Sequence, residues 1–255
     1  MLMKKNAIII GGSTGIGFNF AKKLSQLKYN ITIVSNNLEN LKKAKKNILK
    51  YAPEIKIEII KLNLTKEKNI NRFINFINKK KIKYTFAIYC PGRAFYGDHL
   101  KIPTSVKNDI IDLQIVSYIK IVDFFTKHMI KHGEKSYLVS LGSLSGINPN
   151  PKLLLYSVTK KFIHIYSKIL SSKLKFTNIQ PSLIIPGQTN TRFIRKNNFK
   201  NLNKDYLTPQ YVASYSIKKI FQNKEIIIPG FLNKFRYLLL IILPNFIVQY
   251  IYQNK

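Results

Sequence analysis

Cysteine is nearly missing from this sequence of 255 residues, which contains only Cys90. A single thiol excludes an internal disulfide and a zinc site built on cysteines, and it favours a reducing cytoplasm as the compartment. The four histidines have no metal-ligand spacing to one another or to carboxylates, so we expect no metal site. The apolar run at residues 7–10 is shorter than the ~7–15 residues of a secretory signal, and it predicts a buried strand.

Acidic residues are also scarce, because 11 Asp and Glu stand against 43 Lys and Arg and give a formal net charge of +32. Such a charge attracts nucleic acid, an anionic membrane or a polyanionic cosubstrate. The lysines are spread over the whole chain among many Asn and Ile residues, as AT-rich codon usage dictates, and no nucleic-acid-binding motif accompanies them. We therefore expect no nucleic-acid partner.

No linker rich in Gly, Ser or Pro divides the chain, so we expect one domain. Short apolar strands alternate with amphipathic helices, among them the predicted helices 38–49 and 209–221. This alternation is typical of right-handed βαβ units, whose parallel sheet is covered on both faces. The sequence therefore predicts an α/β fold with a single doubly wound, Rossmann-like parallel sheet of about seven strands.

Residues 231–255 form an apolar and basic tail. Its run 237–252 is strongly apolar but contains Pro244, and as a helix these 16 residues would measure about 24 Å, short of a hydrocarbon core of roughly 30 Å. We therefore expect no membrane span. Packing over a substrate crevice, a dimer contact and peripheral insertion into a membrane surface remain open for this tail.

A glycine-rich turn, GGSTGIG, follows the first predicted strand and precedes the first predicted helix. Its glycines have the spacing G-x-x-x-G-x-G, which lets the backbone approach a pyrophosphate that binds the helix amide groups. The sequence thus predicts a dinucleotide site in residues 1–230, the dinucleotide-binding and catalytic domain. The predicted cofactor-binding residues of the turn are Gly11, Ser13, Thr14, Gly15, Ile16 and Gly17.

The end of the second predicted strand carries Ser35 and Asn36. Dinucleotide-binding proteins place an acid here to bind a ribose hydroxyl, or a base to bind a 2′-phosphate. No carboxylate is present to repel a 2′-phosphate, and Lys42 and Lys43 would attract one. We therefore expect NADP(H) to be favoured over NAD(H), although Asn36 and the next residue, Asn37, are equally explained as polar loop residues.

Tyr156 and Lys160 in YSVTK are four residues apart and share one face of a predicted helix. A lysine beside a tyrosine stabilises the phenolate and lowers a pKa that is otherwise ~10. Ser143, thirteen residues before Tyr156, follows an apolar strand and can hydrogen-bond a substrate carbonyl or the tyrosine oxygen. The apolar residues of the same helix predict its buried stripe, which comprises Val158, Phe162, Ile165 and Ile169.

The motifs GGSTGIG, SLGSLSG, YSVTK and IIPGQTNT occur in the order and spacing of the short-chain dehydrogenase/reductase family, which the chain resembles over nearly its whole length. The resemblance implies hydride transfer between a nicotinamide cofactor and a carbonyl or alcohol, in a homo-oligomer. It implies that Tyr156 transfers the proton, that Lys160 binds the nicotinamide ribose, and that Ser143 polarises the carbonyl. It also implies cofactor contacts by Pro186, Gly187, Thr189 and Thr191.

Three positions depart from the family pattern. Gln114 stands where the family has an asparagine that supports a proton relay to the lysine. Only Gly92 remains of the usual Asn-Asn-Ala-Gly segment, here YCPG, and Asn63, followed by Leu64, replaces an aspartate that contacts adenine. These departures leave open a non-catalytic, regulatory dinucleotide-binding protein of the same fold.

The segments NPNPKLLLYSVTKKF and IIPGFLNKF resemble more loosely the branch that contains 3-oxoacyl-CoA reductases and 17-beta-hydroxysteroid dehydrogenases. This similarity implies an acyl or otherwise hydrophobic substrate and a role in lipid metabolism. The expected function is an NADP(H)-dependent oxidoreductase. The regulatory alternative ranks second, and nucleic-acid binding ranks third.

Overall fold

The computed structural model describes residues 5–193 and 206–242. Its sheet has seven strands, all of them parallel, in the order β3-β2-β1-β4-β5-β6-β7. The strands are β1 (Asn6–Ile10), β2 (Asn30–Ser35), β3 (Ile57–Lys61), β4 (Tyr84–Tyr89), β5 (Ser136–Leu141), β6 (Ile179–Ile184) and β7 (Ile226–Ile227). The predicted doubly wound α/β fold with about seven strands is confirmed.

Helices cover both faces of this sheet. They are α1 (Gly15–Gln26), α2 (Leu38–Leu49), α3 (Glu67–Lys79), α4 (Thr104–Ile111), α5 (Ser117–His132), α6 (Leu154–Leu174), α7 (Pro209–Phe221) and α8 (Phe231–Ile242). One turn of π-helix, Asp112–Val116, joins α4 to α5 without a break. Short 3₁₀ turns occur at His99–Lys101, Leu144–Gly146 and Pro151–Leu153.

The alternation of side chains along β1 divides the core into two layers. Ala7 and Ile9 pack with α1, α2 and α7 on one face, whereas Ile8 and Ile10 pack with α3, α5 and α6 on the other. Successive side chains of a strand point to opposite faces, so a strand between two helix layers is apolar at every position. This explains why β1 appears in the sequence as a continuous apolar run from Ala7 to Ile10.

The sheet order reverses at β1, which pairs with β2 on one side and with β4 on the other. The chain leaves β1 towards one half of the sheet and leaves β4 towards the other half, so the connections diverge at their carboxyl ends. Ligand crevices of open α/β sheets lie at this point. The fold therefore places a crevice after Ile10 and Tyr89.

The predicted buried stripe of α6 is wrong at three of its four positions, whereas Phe162 is partly buried and packs against the core. Val158 and Ile165 are 55% and 51% exposed, and Ile169 is exposed as well. The helix instead buries polar residues, Lys160 and His164 among them. Because these side chains find hydrogen-bond partners inside the protein, the helix is rotated relative to an orientation chosen by apolar residues alone.

No helix within 5–193 or 206–242 is long and apolar enough to cross a membrane. The part of the predicted tail beyond Ile242 lies outside the described residues.

The rotation of α6 can be tested with two isoleucines of that helix. Ile163 is fully buried and Ile165 is 51% exposed. We expect Ile163→Ala to lower the free energy of unfolding by about 2–5 kcal/mol, because it leaves a cavity, and Ile165→Ala to change it by less than about 0.5 kcal/mol. Urea unfolding measures both changes in free energy, and repeating it at several protein concentrations shows whether association of chains contributes. Equal losses for the two variants at every protein concentration would contradict this orientation of α6.

Candidate active site

A crevice of about 1090 Å³ opens at the carboxyl ends of the strands where the sheet order reverses. Eighteen of the nineteen residues predicted from the sequence to form the site line it. They are Gly11, Ser13, Thr14, Gly15, Ile16, Gly17, Ser35, Asn36, Asn63, Leu64, Gly92, Ser143, Tyr156, Lys160, Pro186, Gly187, Thr189 and Thr191. Gln114 is the exception.

The glycine turn after β1 is packed so tightly that two of its glycines have no room for a side chain. Gly11 has φ +78°, and a Cβ there would lie 2.9 Å from the backbone nitrogen of Pro91. A Cβ on Gly17 would lie 2.4 Å from the carbonyl oxygen of Gly11. The turn therefore brings the first N–H groups of α1 to the crevice floor, with no acidic residue in the first turn of the helix. That arrangement suits an anionic group.

The side chains at the end of β2 form a polar edge of the crevice. The Ser13 hydroxyl donates to Ser35 Oγ at 2.8 Å. Arg192, which comes from the segment after β6, donates from Nη1 to Asn40 Oδ1 at 3.1 Å in the first turn of α2. A guanidinium thus lies at the edge of the crevice, whereas Lys42 and Lys43, the basic residues named from the sequence, do not line it.

Asn63 is engaged in its own turn. Its Oδ1 accepts hydrogen bonds from the backbone N–H and the hydroxyl of Thr65, both at 3.0 Å. The side chain of Leu64 next to it is buried against the crevice wall. The two residues thus shape the wall at the end of β3.

Tyr156, Lys160 and Ser143 meet at the centre of the crevice. The Tyr156 and Ser143 side chains are hydrogen-bonded to each other. Lys160, which is 2% exposed, donates from Nζ to the carbonyl oxygen of Leu141 at 2.8 Å, and Nζ lies 5.6 Å from the centre of the Tyr156 ring. The end of β5 and the first turns of α6 therefore hold the three predicted catalytic side chains together.

Burial dominates the ionisation of this group. It raises the pKa of Tyr156 to about 12, although the Ser143 hydrogen bond acts in the opposite direction. Burial also lowers the pKa of Lys160 to about 8. The direction for Tyr156 is opposite to the lowering expected from a neighbouring lysine, because desolvation of the phenolate is the largest effect on its pKa. Both groups are protonated at neutral pH in this arrangement.

Cys90 lies on the crevice wall beside this group. Burial raises the pKa of its thiol to about 12, so it remains protonated and unreactive. The residue therefore serves as packing rather than as a nucleophile.

Gln114 is fully buried in the π-helical turn and does not line the crevice. Its Nε2 donates to the carbonyl oxygen of Arg93 at 2.9 Å. Its Oε1 has no hydrogen-bond partner within the described ranges 5–193 and 206–242. The side chain thus connects the long helix to the segment after β4, which contains Gly92.

Several residues of this region could not be identified from the sequence alone. Arg192 directly follows the IIPGQTNT motif, and His164 lies one turn after Lys160. Three residues of α8 also line the crevice, namely Arg236, Leu239 and Leu240. The only signals for them were their positions next to a motif or in an apolar tail, and neither signal specifies a contact.

Asn233 docks α8 against the rest of the molecule. Its Nδ2 donates to the carbonyl oxygen of Pro229 at 2.9 Å. A Cβ on Gly187 would lie 2.2 Å from Asn233 Oδ1, so the absence of a side chain at Gly187 makes room for the helix. The start of the apolar tail is therefore packed beside the crevice.

A family model described as short chain dehydrogenase matches residues 5–202. The chain is 22% identical to an uncharacterized oxidoreductase of Staphylococcus epidermidis over 88% of this chain and 94% of that protein. It is 22% identical to a very-long-chain 3-oxoacyl-CoA reductase of Coccidioides immitis, over 70% of this chain and 52% of that protein. A 17-beta-hydroxysteroid dehydrogenase type 3 of Mus musculus is 23% identical over 72% of this chain and 60% of that protein.

Solved structures share the fold at lower identity. A structure reported for 7beta-hydroxysteroid dehydrogenase stereoselectivity superimposes with a TM-score of 0.86 at 16% identity, over 98% of this chain and 96% of that one. A short-chain dehydrogenase from Sphingobium yanoikuyae in complex with NADPH has a TM-score of 0.82 at 16% identity, over 94% and 96% of the two chains. One from Burkholderia phymatum in complex with NAD has a TM-score of 0.79 at 15% identity, over 88% of each chain.

Proposed function

The chain belongs to the short-chain dehydrogenase family and is an NAD(P)-dependent oxidoreductase, and from this premise we propose that it reduces the carbonyl group of a hydrophobic or acyl substrate with NADPH. One observation carries the proposal. The side chains of Ser143, Tyr156 and Lys160 lie together in the same crevice that the glycine turn lines. The regulatory alternative finds no support in this arrangement, since all three side chains are in place.

The crevice fits a dinucleotide. Because Gly11 and Gly17 carry no side chain, the turn packs closely against the backbone of Pro91 and of Gly11 itself. In this proposal a phosphate group approaches the backbone N–H groups of that turn. Thr14 stands at the N-cap of α1 with no side-chain hydrogen bond to the helix. In this proposal the turn holds the pyrophosphate, Leu64 and Asn63 border the adenine, and Thr189 and Thr191 hold the nicotinamide end.

The proposed chemistry uses three side chains. A nicotinamide cofactor held in this crevice would supply the hydride for the carbonyl carbon. The Tyr156 hydroxyl donates its proton to the carbonyl oxygen, and the Ser143 hydroxyl donates a hydrogen bond to the same oxygen as negative charge develops there. Lys160 is buried and protonated at neutral pH, so it stabilises the phenolate that remains and offers N–H donors to ribose hydroxyls. Gln114 acts indirectly, by holding the segment after β4.

Arg192 supports a preference for NADPH over NADH. Its contact with Asn40 places a guanidinium beside the end of β2, where Ser35 and Asn36 line the crevice. A guanidinium forms strong, charge-assisted hydrogen bonds to phosphate oxygens. We propose that Arg192 pairs with the 2′-phosphate together with Ser13 and Ser35.

Two exposed apolar surfaces support further contacts. Val158, Ile165 and Ile169 form an apolar face on α6, and we propose that it packs against a second copy of the chain. Phe235 and Leu238 are exposed on α8 beside the crevice, and we propose that this helix touches a membrane surface peripherally. In this proposal α8, the described start of the tail 231–255, is part of the same domain as the dinucleotide-binding and catalytic residues within 1–230, and the enzyme is cytoplasmic.

The first test removes the proton donor. Tyr156→Phe deletes only the hydroxyl, so we expect the fold and NADPH affinity to persist while turnover falls by about 10²- to 10⁴-fold. Turnover of a panel of hydrophobic ketones and 3-oxoacyl thioesters, followed by NADPH absorbance, measures the loss. The matched control is Tyr166→Phe on the same helix, because the hydroxyl of Tyr166 bonds Asp123 away from the crevice. Unchanged turnover in Tyr156→Phe would remove this residue from its role.

The second test concerns the 2′-phosphate. We expect Arg192→Gln to weaken NADPH binding by about 10- to 100-fold, as the loss of charged hydrogen bonds implies, and to leave NADH binding nearly unchanged. Calorimetric titration with NADPH, NADH, 2′,5′-ADP and 5′-AMP measures the difference. Lys66→Gln is the control, since it removes one positive charge from another part of the crevice wall. Equal weakening of both cofactors in Arg192→Gln would contradict the assignment.

The third test concerns the substrate wall formed by α8. Leu239 lines the crevice and Leu238 beside it does not, although both are partly exposed. We expect Leu239→Asn to raise the KM for a long-chain ketone about 10-fold, because a hydrophobic contact of one side chain contributes ~1–3 kcal/mol, and to leave the KM of a small ketone within about 2-fold. Leu238→Asn is the control. Equal effects on both substrates would show that α8 has only a structural role.

A further inference from the structure

His164 occupies a pocket that two glycines leave open. It is buried on α6, one turn after Lys160 and two turns after Tyr156. A Cβ on Gly142 would lie 2.4 Å from its Nε2, and a Cβ on Gly146 would lie 2.8 Å from its Cε1. The imidazole therefore packs directly against the backbone of the segment that follows β5 and carries Ser143.

The backbone N–H groups of that segment point in different directions. Gly142 donates to the carbonyl oxygen of Ile184 at 2.7 Å, and Leu144 donates to that of Pro186 at 3.1 Å, so both bonds go to β6 and its extension. The N–H of Ser143 between them donates to His164 Nε2 at 3.2 Å. An unpaired buried N–H is costly, so the imidazole provides the acceptor that the neighbouring strand does not offer.

The imidazole is neutral. Burial lowers the pKa of His164 to about 3, and the positive charges of Lys160 and Lys161 act in the same direction. Because Nε2 accepts a hydrogen bond, the neutral ring carries its proton on Nδ1. This Nδ1 is buried and has no hydrogen-bond partner within residues 5–193 and 206–242, so the imidazole satisfies the Ser143 N–H while its own N–H is left unpaired. His164 is therefore a fixed acceptor over the whole range of physiological pH, and it is not a proton shuttle.

The Ser143 side chain is oriented by the same set of bonds. Its Oγ accepts a hydrogen bond from the backbone N–H of Ser145 at 3.1 Å and bonds the side chain of Tyr156. With the backbone N–H held by His164 and a lone pair of Oγ held by Ser145, the direction of the Ser143 hydroxyl is restricted. Lys160 holds the carbonyl of Leu141 in addition, so two side chains one helical turn apart bind the segment to α6.

We propose that His164 is a positioning residue for Ser143: the neutral imidazole fixes the serine backbone and thereby directs the Ser143 hydroxyl to the substrate carbonyl. The inference rests on the proposed reductase function. If Lys160 exchanges the Leu141 carbonyl for ribose hydroxyls when a cofactor binds, His164 continues to hold the backbone N–H of Ser143 from α6.

The kinetic test compares two replacements of the imidazole. His164→Gln retains an acceptor near the position of Nε2, and His164→Leu fills similar space without one. We expect His164→Leu to lower kcat by about 10- to 100-fold, as misplacement of a catalytic group implies, with an unchanged dissociation constant for NADPH. His164→Gln should remain within about 3-fold of the wild type. The control is Ser167→Ala, which lies on the same helix as His164 and removes a buried hydrogen bond with Tyr118 of α5. This variant should keep kcat.

The mechanism of the effect is tested in a Ser143→Ala background. If His164 acts through the serine hydroxyl, His164→Leu should lower kcat no further once that hydroxyl is gone, because the two changes affect one interaction. An equal fold-loss in both backgrounds would overturn the proposal, as would a wild-type kcat in His164→Leu. A wild type that turns over no carbonyl substrate would count against the reductase function instead.

A measurement without cofactor or substrate tests the contact itself. Amide hydrogen exchange of Ser143, followed by NMR on the full chain, should be slow in the wild type and in His164→Gln and at least about 10-fold faster in His164→Leu. The ¹⁵N shifts of His164 should show one neutral tautomer, with the proton on Nδ1, from pH 5 to pH 8. Rapid exchange of the Ser143 amide in the wild type, or titration of His164 in that range, would overturn the proposal.

Discussion

The reversal of strand order at β1 is the constraint on which the rest of the molecule depends. β1 pairs with β2 on one side and with β4 on the other, and the chain leaves β1 and β4 in opposite directions. Their carboxyl ends are close enough that Gly11 packs against the backbone of Pro91, so no side chain fits there. The divergent connections leave a crevice above this contact, and every residue discussed for chemistry or cofactor binding lines it or supports it.

The second constraint is the polar buried side of α6. Most helices in a core bury an apolar stripe, but this one buries Lys160, His164 and Ser167. Each of these side chains has a partner on β5, on the segment that follows it or on α5: Leu141, Ser143 and Tyr118, respectively. Hydrogen bonds with strict geometry thus fix the rotation of the helix, whereas apolar contacts tolerate more variation. This helix holds Tyr156, Lys160 and His164, and a fixed rotation of the helix keeps these three side chains in position.

These two constraints explain what could be predicted from the sequence. Helices 38–49 and 209–221 were predicted with their observed bounds, because they are amphipathic and begin after Asn37 and Thr208, whose side chains cap them. The orientation of α6 was predicted wrongly, because periodicity counts apolar residues and a buried lysine has the same appearance in a sequence as an exposed one. The contact of Arg192 with Asn40 joins residues 152 positions apart, and only the path of the folded chain brings them together.

The excess of positive charge over the whole chain is also found among the residues that line the crevice. Averaged over the chain, a net charge of +32 does not indicate which anion is bound. Among the described residues that line the crevice, five are cationic (Lys66, Arg93, Lys160, Arg192 and Arg236), and Asp109 is the only acidic one. Asp109 forms an ion pair with Arg93, so its charge is largely compensated. A cleft with low-dielectric walls focuses such a field and raises the local concentration of anions. The same excess of lysine and arginine that resembles a nucleic-acid-binding composition therefore favours a cosubstrate with several phosphates, and an acyl substrate that carries phosphates would gain from it as well.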